Sequence, residues 1–267
     1  MIRTCRKLLH LWPFRKGKQR VAHGLYSRFL RQLPEAEHFV HNGVQFELDL
    51  RDRMQAIFFL TGLYEPRTIA TCLEHLPADR KSVYVDIGAN VGLLSGQIKA
   101  GRPHSECHLF EADRKIFSRL KRNFELNRPD SVTLNHAAVS DKSGQRVVFH
   151  SSFESTESGW GRLANAMSDQ PGEKQEVISI AIDDYLSQNQ ISGVDLMKID
   201  VEGAEEKVIL GAQRSMREKR IRAIVCEMNE EALVAFGTTT NGLKRLIESF
   251  GYREVKRVEL NSLFLAV

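Results

Sequence analysis

The segment MKIDVEGAEEKVIL, residues 197–210, changes its pattern in the middle. Its apolar run contains Lys198 and ends at Asp200, Glu202 comes two residues later, and a helical pattern begins after Gly203. This order predicts a buried strand followed by a helix. The two acids either cap that helix or take part in binding or catalysis. As caps, each carboxylate would stabilise the helix by about 0.3–1 kcal/mol.

The chain around this segment alternates between strand and helix patterns from residue 82 onward. Short apolar runs lie at residues 82–88, 106–113, 131–140, 176–182, 194–200 and 221–228. Most of them are followed by apolar residues at helical spacing, and YREVKRVE and SLFLAV predict a closing antiparallel hairpin. The alternation predicts an α/β fold with a mostly parallel sheet that is covered by helices on both faces.

Residues 1–80 follow a different pattern and are predicted to form a basic arm and a helical cap. We expect them to be mostly helical, with one strand at residues 44–50 (VQFELDL). YEP, at residues 64–66, is expected to end one element, and a short helix should follow it. The α/β domain should occupy residues 81–267, with the polar segment 151–175 as a loop or lid.

The basic charge of the chain is concentrated at its N-terminus. Residues 1–34 hold nine Lys and Arg and no acid, whereas the rest holds 29 basic against 34 acidic residues. With Leu8, Leu11 and Trp12, this arm is typical of a solvated helix or a frayed tail. It would also suit peripheral contact with an anionic membrane or, less well, nucleic acid.

Cysteine spacing and hydropathy indicate the cellular compartment of the protein. The four cysteines are scattered without metal-ligand spacing, and no apolar run approaches the ~20 residues of a membrane span. No secretory signal is recognisable, so we expect a cytoplasmic protein with reduced thiols.

A glycine loop, DIGANVG at residues 86–92, joins the first strand of the α/β domain to its first helix. Gly88 permits a positive φ, and Gly92 permits close packing. Glu111 ends the next strand, where a carboxylate can accept both hydroxyls of a ribose. The loop and this acid together indicate a cofactor that contains a nucleoside.

Asn90 narrows the choice of cofactor. A dinucleotide loop reads G-x-G-x-x-G, and Asn90 stands where its middle glycine would be, so its side chain would crowd a pyrophosphate. A cofactor without phosphates, such as S-adenosylmethionine, fits better. The loop backbone would bind its carboxylate, and Asp86 would lie near its cationic end. The alternative is an ordinary tight turn, with Asp86 as a cap and Glu111 as a surface acid.

Acids are predicted to converge at one edge of the sheet. In a strand, Lys198, Asp200 and Glu202 share a side, and a lysine buried there needs a charged partner. Ligands of open parallel sheets gather beyond the carboxyl ends of the strands. The acids expected at those ends are Asp86, Glu111, Asp200, Glu202 and Glu227.

Several motifs resemble the FkbM family of S-adenosylmethionine-dependent methyltransferases over about residues 60–260. They are VDIGANVG, LFEAD, AAVSDKSG, GLYEP, ISIAIDDYL and, above all, LMKIDVEGAEEKVILGA. The resemblance implies a class I methyltransferase, Rossmann-like fold: a mostly parallel seven-stranded sheet with its last strand antiparallel, here with an N-terminal helical extension. It also implies O-methylation, mainly of sugar or natural-product hydroxyls. Ala138, in AAVSDKSG, joins the cofactor-binding candidates.

Methyl transfer to a hydroxyl calls for a base, and the acids supply candidates. Asp200, which is also a candidate for cofactor binding, is the first choice as base, and Glu202 is the second. Alternatively, Asp200, Glu202 and Glu227 could hold Mg²⁺, which takes oxygen ligands. Tyr64, Trp160 and Glu227 are candidates for substrate binding, on an acceptor that is a small molecule or glycan.

Three alternative functions stay open. A nucleic-acid methyltransferase could use the basic arm, but the fourth strand lacks an N-P-P-Y type of motif. A nicotinamide-dependent oxidoreductase is opposed by the glycine spacing. A module that keeps the fold without catalysis is the third. His108 and His136 are expected to be core residues rather than bases.

Overall fold

The computed structural model describes residues 2–11, 17–29, 33–151, 162–163 and 173–267. Its helices are α1 (Ile2–Leu11), α2 (Lys18–Phe29), α3 (Arg53–Thr61), α4 (Pro66–His75), α5 (Leu93–Gly101), α6 (Arg114–Asn127), α7 (Ile182–Gln188), α8 (Glu205–Gly211), α9 (Gln213–Arg217), α10 (Glu230–Ala235) and α11 (Thr240–Ser249). Its strands are β1 (Glu37–His41), β2 (Val44–Leu48), β3 (Val83–Ile87), β4 (Glu106–Glu111), β5 (Val132–His136), β6 (Ala138–Val139), β7 (Arg146–Ser151), β8 (Arg162–Leu163), β9 (Glu173–Ile180), β10 (Val194–Ile199), β11 (Ile221–Glu227), β12 (Tyr252–Val258) and β13 (Asn261–Ala266). In the described part of the chain, no helix combines the length and apolar character needed to cross a bilayer.

A central sheet of seven strands has the order β12-β13-β11-β10-β3-β4-β5. Strands β11, β10, β3, β4 and β5 pair in parallel, whereas β13 runs antiparallel to both of its neighbours. The last strand is therefore the reversed one, as in the class I methyltransferase fold. The prediction of fold class is confirmed.

Both faces of this sheet are apolar. Because successive side chains of a strand point to opposite faces, each face has its own core cluster. Tyr84, Leu196 and Val225 pack in one core cluster. Val85 and Met197, which are neighbours of Tyr84 and Leu196 along the strands, pack in the other, on the opposite face. This explains why the central strands read as continuous apolar runs rather than as alternating ones.

The N-terminal region contains a hairpin that the sequence interpretation missed. Strand β1 pairs antiparallel with β2, so this region has two strands and not one. Asn42 and Gly43 both have positive φ values, 49° and 82°, as a tight two-residue hairpin turn requires. The Asn-Gly pair was the available signal. Phe39 and Phe46 then contact Phe58 of α3 edge-to-face, with ring centroids 5.1 and 5.5 Å apart.

The YEP segment begins a helix, so its prediction as the end of an element was wrong. Pro66 is the first residue of α4, where its fixed φ suits the helical start. Glu65 occupies the N-cap position in a left-handed conformation, φ 36° and ψ 52°, and its side chain makes no capping bond. This carboxylate is therefore available for another role.

The run predicted as one strand at residues 131–140 is two. Strand β5 belongs to the central sheet, and β6 pairs with β9 in a four-stranded sheet of order β6-β9-β7-β8. His136 at the end of β5 is exposed and stacks on Phe117, so its assignment to the core was wrong. His108 is buried and bonded to Tyr185, as expected for a core residue.

The segment predicted as a loop or lid is only partly described. Strand β7 reaches Ser151, β9 begins at Glu173, and β8 pairs with β7 between them. The rest of segment 151–175, including Trp160, lies outside the described residues.

Candidate functional site

The site is built on one row of residues at the carboxyl ends of four neighbouring strands. Ile87 pairs with Phe110 on one side and with Ile199 on the other, and Ile199 pairs with Cys226. The residues that follow these four along the chain are Gly88, Glu111, Asp200 and Glu227. The strand register therefore brings three of the predicted acids to the same edge of the sheet.

Gly88 allows the end of β3 to approach Asp200 closely. Its φ is +84°, and a Cβ built on it would lie 1.8 Å from the carbonyl oxygen of Asp200. Only glycine satisfies both conditions. Gly92 also has a φ of +84°, and a Cβ there would meet Leu120 and Phe124 of α6. The predicted close packing at Gly92 is thus with α6.

The backbone of the glycine loop is already hydrogen-bonded within the protein. Gly88 and Ala89 donate to the carbonyl of Phe110, and Gly92 donates to that of Ala89. Asn90 donates to Glu111 Oε2 at 3.0 Å, and Val91 N donates to the Asn90 side chain. The expectation that this backbone binds a cofactor carboxylate does not agree with these bonds.

Glu111 is buried and fixed by two backbone groups. Its Oε2 accepts from Asn90 N and its Oε1 accepts from Asp113 N at 2.8 Å. Burial raises the pKa of Glu111 to about 7, against the lowering effect of these bonds. Asp113 caps α6 by accepting from Lys115 N and Ile116 N. Glu111 is therefore held at a defined position at the mouth of the loop.

Lys198 is the buried lysine that required a charged partner, and it has two. Its Nζ donates to Asp200 Oδ2 at 2.8 Å and lies 3.9 Å from Asp86 Oδ1. Burial lowers the pKa of Lys198, but the nearby carboxylates raise it by more than that. The net result is a pKa well above the usual value. Asp86 is only 1% exposed and also accepts from Ser95 Oγ. It supports the lysine from below the edge of the sheet.

Tyr64 and Glu65 come directly before α4 and lie beside Lys198. Burial raises the pKa of Glu65, and the charge of Lys198 opposes this effect. One buried oxygen of Glu65, Oε2, has no hydrogen-bond partner in the described part of the structure. Tyr64 is partly buried and packs edge-on against Phe58. Tyr64 was predicted at the site and Glu65 was not; its signal was an acid directly before a helix-starting proline.

Neither acid of the D-V-E-G segment caps the helix that follows. Helix α8 begins at Glu205, with Ala204 as a cap residue that makes no side-chain bond. Strand β10 ends at Ile199, and Glu202 has a left-handed φ of 53°, so the period-two argument does not reach it. The capping explanation is therefore excluded for Asp200 and Glu202.

Asp200, Glu202 and Glu227 form what we term the acid cluster. One carboxylate oxygen from each lies within 4.8 Å of the others. Glu227 is 9% exposed, and its Oε2 atom is buried without a hydrogen-bond partner among the described residues. Burial raises the pKa of Glu227 to about 10, and the neighbouring carboxylates of Asp200 and Glu202 raise it as well.

Glu205 holds the backbone that carries the acid cluster. Its Oε1 accepts from Val201 N at 3.0 Å and from Gly203 N at 3.2 Å. A Cβ at Gly203 would lie 2.4 Å from the carbonyl oxygen of Ala232, so the turn is also packed tightly. Sequence reasoning missed this role of Glu205, although it is the third acid of the run.

One predicted site residue lies away from the row. Ala138 is buried in β6 and packs with Phe149 and Val177 in a separate small core cluster. Its assignment to cofactor binding stays a prediction.

The strand order and the glycine loop define a class I methyltransferase fold, with a row of acids at one edge of the sheet. The family model described as the methyltransferase FkbM domain matches residues 86–254, more than half of the chain. The protein therefore belongs to the FkbM methyltransferase family.

Similar proteins include two named methyltransferases. The 2-O-methyltransferase NoeI of Sinorhizobium fredii is 26% identical over 179 residues, which cover 63% of this chain and 72% of NoeI. The 31-O-demethyl-FK506 methyltransferase FkbM of Streptomyces tacrolimicus is 25% identical over 172 residues, 55% of this chain. The match spans 65% of that relative, just under two thirds of its length.

Solved structures with a similar shape are more distant in sequence. The METTL16 methyltransferase domain is 14% identical, with a TM-score of 0.47 over 93% of this chain and 80% of that one. M. jannaschii TYW2 in complex with AdoMet is 11% identical, with a TM-score of 0.44 over 88% of each chain. Likeness at this distance identifies no substrate.

Proposed function

We propose that the protein transfers the methyl group of S-adenosylmethionine to a hydroxyl group of a sugar, glycolipid or natural product. The observation that carries the proposal is the row at the sheet edge, where Gly88, Glu111 and Asp200 lie on adjacent strands. One relative is named a 2-O-methyltransferase and the other a 31-O-demethyl-FK506 methyltransferase. Both names support a hydroxyl as the acceptor.

The residues present fit this cofactor. S-adenosylmethionine carries a ribose, a sulfonium, an ammonium and a carboxylate. Glu111, which is fixed by backbone bonds, would accept from the ribose hydroxyls. The acidic edge around Asp200 would attract the two cationic groups. The uncapped first turn of α5 would receive the carboxylate.

When bound, the cofactor supplies an electrophilic methyl group. Its transfer to the acceptor oxygen would break the carbon–sulfur bond and leave S-adenosylhomocysteine. The proton of the hydroxyl goes to Asp200, whose Oδ1 is not the atom that accepts from Lys198. A base in reach of the hydroxyl contributes about 10²–10⁴-fold, and alignment of the two substrates contributes more. Glu202 is the second candidate for the base.

The experiment compares Asp200→Asn with a matched variant, Asp130→Asn, whose acid is exposed in the turn before β5. Methyl transfer from labelled S-adenosylmethionine into fractionated cell extract is measured, together with cofactor binding. We expect Asp200→Asn to bind cofactor and to lose about 10²–10⁴-fold in rate. Asp130→Asn should match the wild type. Full turnover by Asp200→Asn would remove Asp200 from the role.

The same assay separates the rival functions. A binding module without catalysis would bind S-adenosylmethionine and transfer no label to any fraction. A nucleic-acid methyltransferase would label nuclease-sensitive material. We expect label in material that nuclease leaves intact and that hydrolyses to a methylated sugar or small molecule.

Contact of the basic arm with an anionic membrane is a further part of the proposal. Leu8 and Leu11 are 65% and 80% exposed on the basic helix α1. Against it, Arg3 pairs with Glu37 and Arg6 stacks on Phe39, so two of the basic side chains serve internal contacts. Sedimentation with phosphatidylserine vesicles should fall when Leu8 and Leu11 are both replaced by Ala; unchanged sedimentation would reject the contact.

A further inference from the structure

The acid cluster brings together carboxylates that come from separate points of the chain. Asp200 follows strand β10, Glu202 stands in the left-handed turn after it, and Glu227 ends β11. Carboxylates at such distances repel one another when all are ionised, so their convergence is costly unless a proton or a cation neutralises one of them. Folding alone does not account for the arrangement.

Helix capping does not account for it either. Helix α8 starts after Ala204, and α10 is capped by Asn229, whose side chain accepts from Ala232 N. None of the three acids occupies either cap position. The nearby Lys198 donates to Asp200 Oδ2, and this bond does not involve Glu227.

Glu227 provides an independent sign of a ligand. Its side chain is about nine-tenths buried, and its Oε2 atom has no hydrogen-bond partner among the described residues. Buried polar atoms in proteins are nearly always bonded, and a carboxylate oxygen that finds no donor in the protein needs one from outside it. This oxygen belongs to a residue whose carboxylate lies within 4.8 Å of those of Asp200 and Glu202.

The donor set selects the chemistry of that ligand. All three groups are carboxylates, with no histidine or thiol among them, which suits hard divalent cations and not zinc. Two oxygens on one Ca²⁺ can be up to about 5 Å apart, and on Mg²⁺ up to about 4.2 Å, given their bond lengths. A spacing within 4.8 Å is close to what one such cation spans, and a small side-chain adjustment would bring all three oxygens onto it.

We infer that Asp200, Glu202 and Glu227 form a binding site for one hard divalent cation of the Mg²⁺ and Ca²⁺ class. Binding of the cation does not depend on the proposed function; its use does. An acceptor hydroxyl bound to such a cation would become more acidic, so with the cation bound the loss of its proton would depend less on a free carboxylate as base. The site thus also favours an acceptor with neighbouring hydroxyls, such as a sugar, over one with a single isolated hydroxyl.

The test measures cation binding without the cofactor. Mn²⁺, as a spectroscopic probe of this class, is titrated into the full chain and followed by electron paramagnetic resonance, in competition with Mg²⁺, Ca²⁺ and Zn²⁺. Glu227→Gln removes one ligand oxygen from a crowded cluster and keeps the shape of the side chain, so we expect it to fold. Glu231→Gln makes the same change at an exposed position on α10 and is the matched control.

We expect the wild type and Glu231→Gln to bind one Mn²⁺ that Mg²⁺ or Ca²⁺ displaces. Glu227→Gln and Glu202→Gln should each bind at least tenfold more weakly. Equal affinity in all four proteins, or no binding by the wild type up to millimolar Mn²⁺, would overturn the inference. S-adenosylmethionine binding in the same samples reports separately on the proposed function, so the failure of one is distinguishable from that of the other.

Discussion

Glu111 and Glu227 stand in the same row of the sheet and are both buried, yet their surroundings differ. Both oxygens of Glu111 accept backbone N–H groups, from Asn90 and Asp113. Glu227 faces two further acids, and its Oε2 has no partner in the described structure. The pKa of Glu111 is raised to about 7 and that of Glu227 to about 10, in both cases first by burial.

The difference divides the row of strand-end acids into two parts. In the loop half, made of residues 86–92 and Glu111, backbone N–H groups and the acid are hydrogen-bonded within the protein. The acid cluster is incomplete within the protein and gains from a cation. A row of strand-end acids therefore need not share one purpose, and the hydrogen-bond partners of each acid distinguish their roles.

The largest effect should come from the lysine below the acid cluster. Lys198→Met leaves Asp86 and Asp200 without their buried cation, and breaking a buried pair in this way costs about 3–5 kcal/mol. Chemical denaturation at pH 7 measures the loss. Lys256→Met, which breaks an exposed pair with Glu74, should change stability by less than about 1 kcal/mol. Equal losses in the two variants would show that the buried pairing is not important for folding.

A slightly smaller effect is expected at the loop half. Gly88→Ala places a methyl group against the Asp200 carbonyl and forces alanine into a left-handed conformation. Strain and overpacking together should cost about 2–5 kcal/mol. Gly237→Ala has nearly the same φ, +87°, with nothing within 4 Å of the added Cβ, so it should show the conformational cost alone. Denaturation curves that place the two variants within experimental error would contradict the close approach at Gly88.

The dependence of stability on pH should distinguish Glu111 from a neutral replacement. Because the pKa of Glu111 rises from 4.5 to about 7 on folding, its contribution is fully present below pH 4.5 and is lost as pH rises through 7. The loss amounts to about 3 kcal/mol, at about 1.4 kcal/mol per pKa unit. Relative to Glu111→Gln, the wild type should therefore lose stability over this range. Parallel curves for the two proteins would show that Glu111 ionises normally.

Much of this site could be predicted because parallel strands end at one edge. The positions of Glu111, Asp200 and Glu227, and the need of Lys198 for a partner, follow from strand patterns and burial alone. The functional assignments of these acids remain predictions.

Other features depend on local backbone geometry that apolar patterning does not encode. Glu65 and Glu202 both adopt left-handed conformations that are unusual for glutamate, and each turns its chain at the site. The bonds that use up the N–H groups of the glycine loop depend on how Phe110 and Glu111 meet it. The β1–β2 hairpin is different, since its Asn-Gly turn was legible and was overlooked.

Calorimetric titration with S-adenosylmethionine tests the central claim most directly. We predict binding at one site in the wild type, no heat with NAD, and at least tenfold weaker binding by Glu111→Gln, since a hydrogen bond to a charged group is worth about 1.5–3 kcal/mol. Absence of S-adenosylmethionine binding by the folded wild type, or binding of NAD in its place, would contradict the assignment of this edge as a methyltransferase cofactor site.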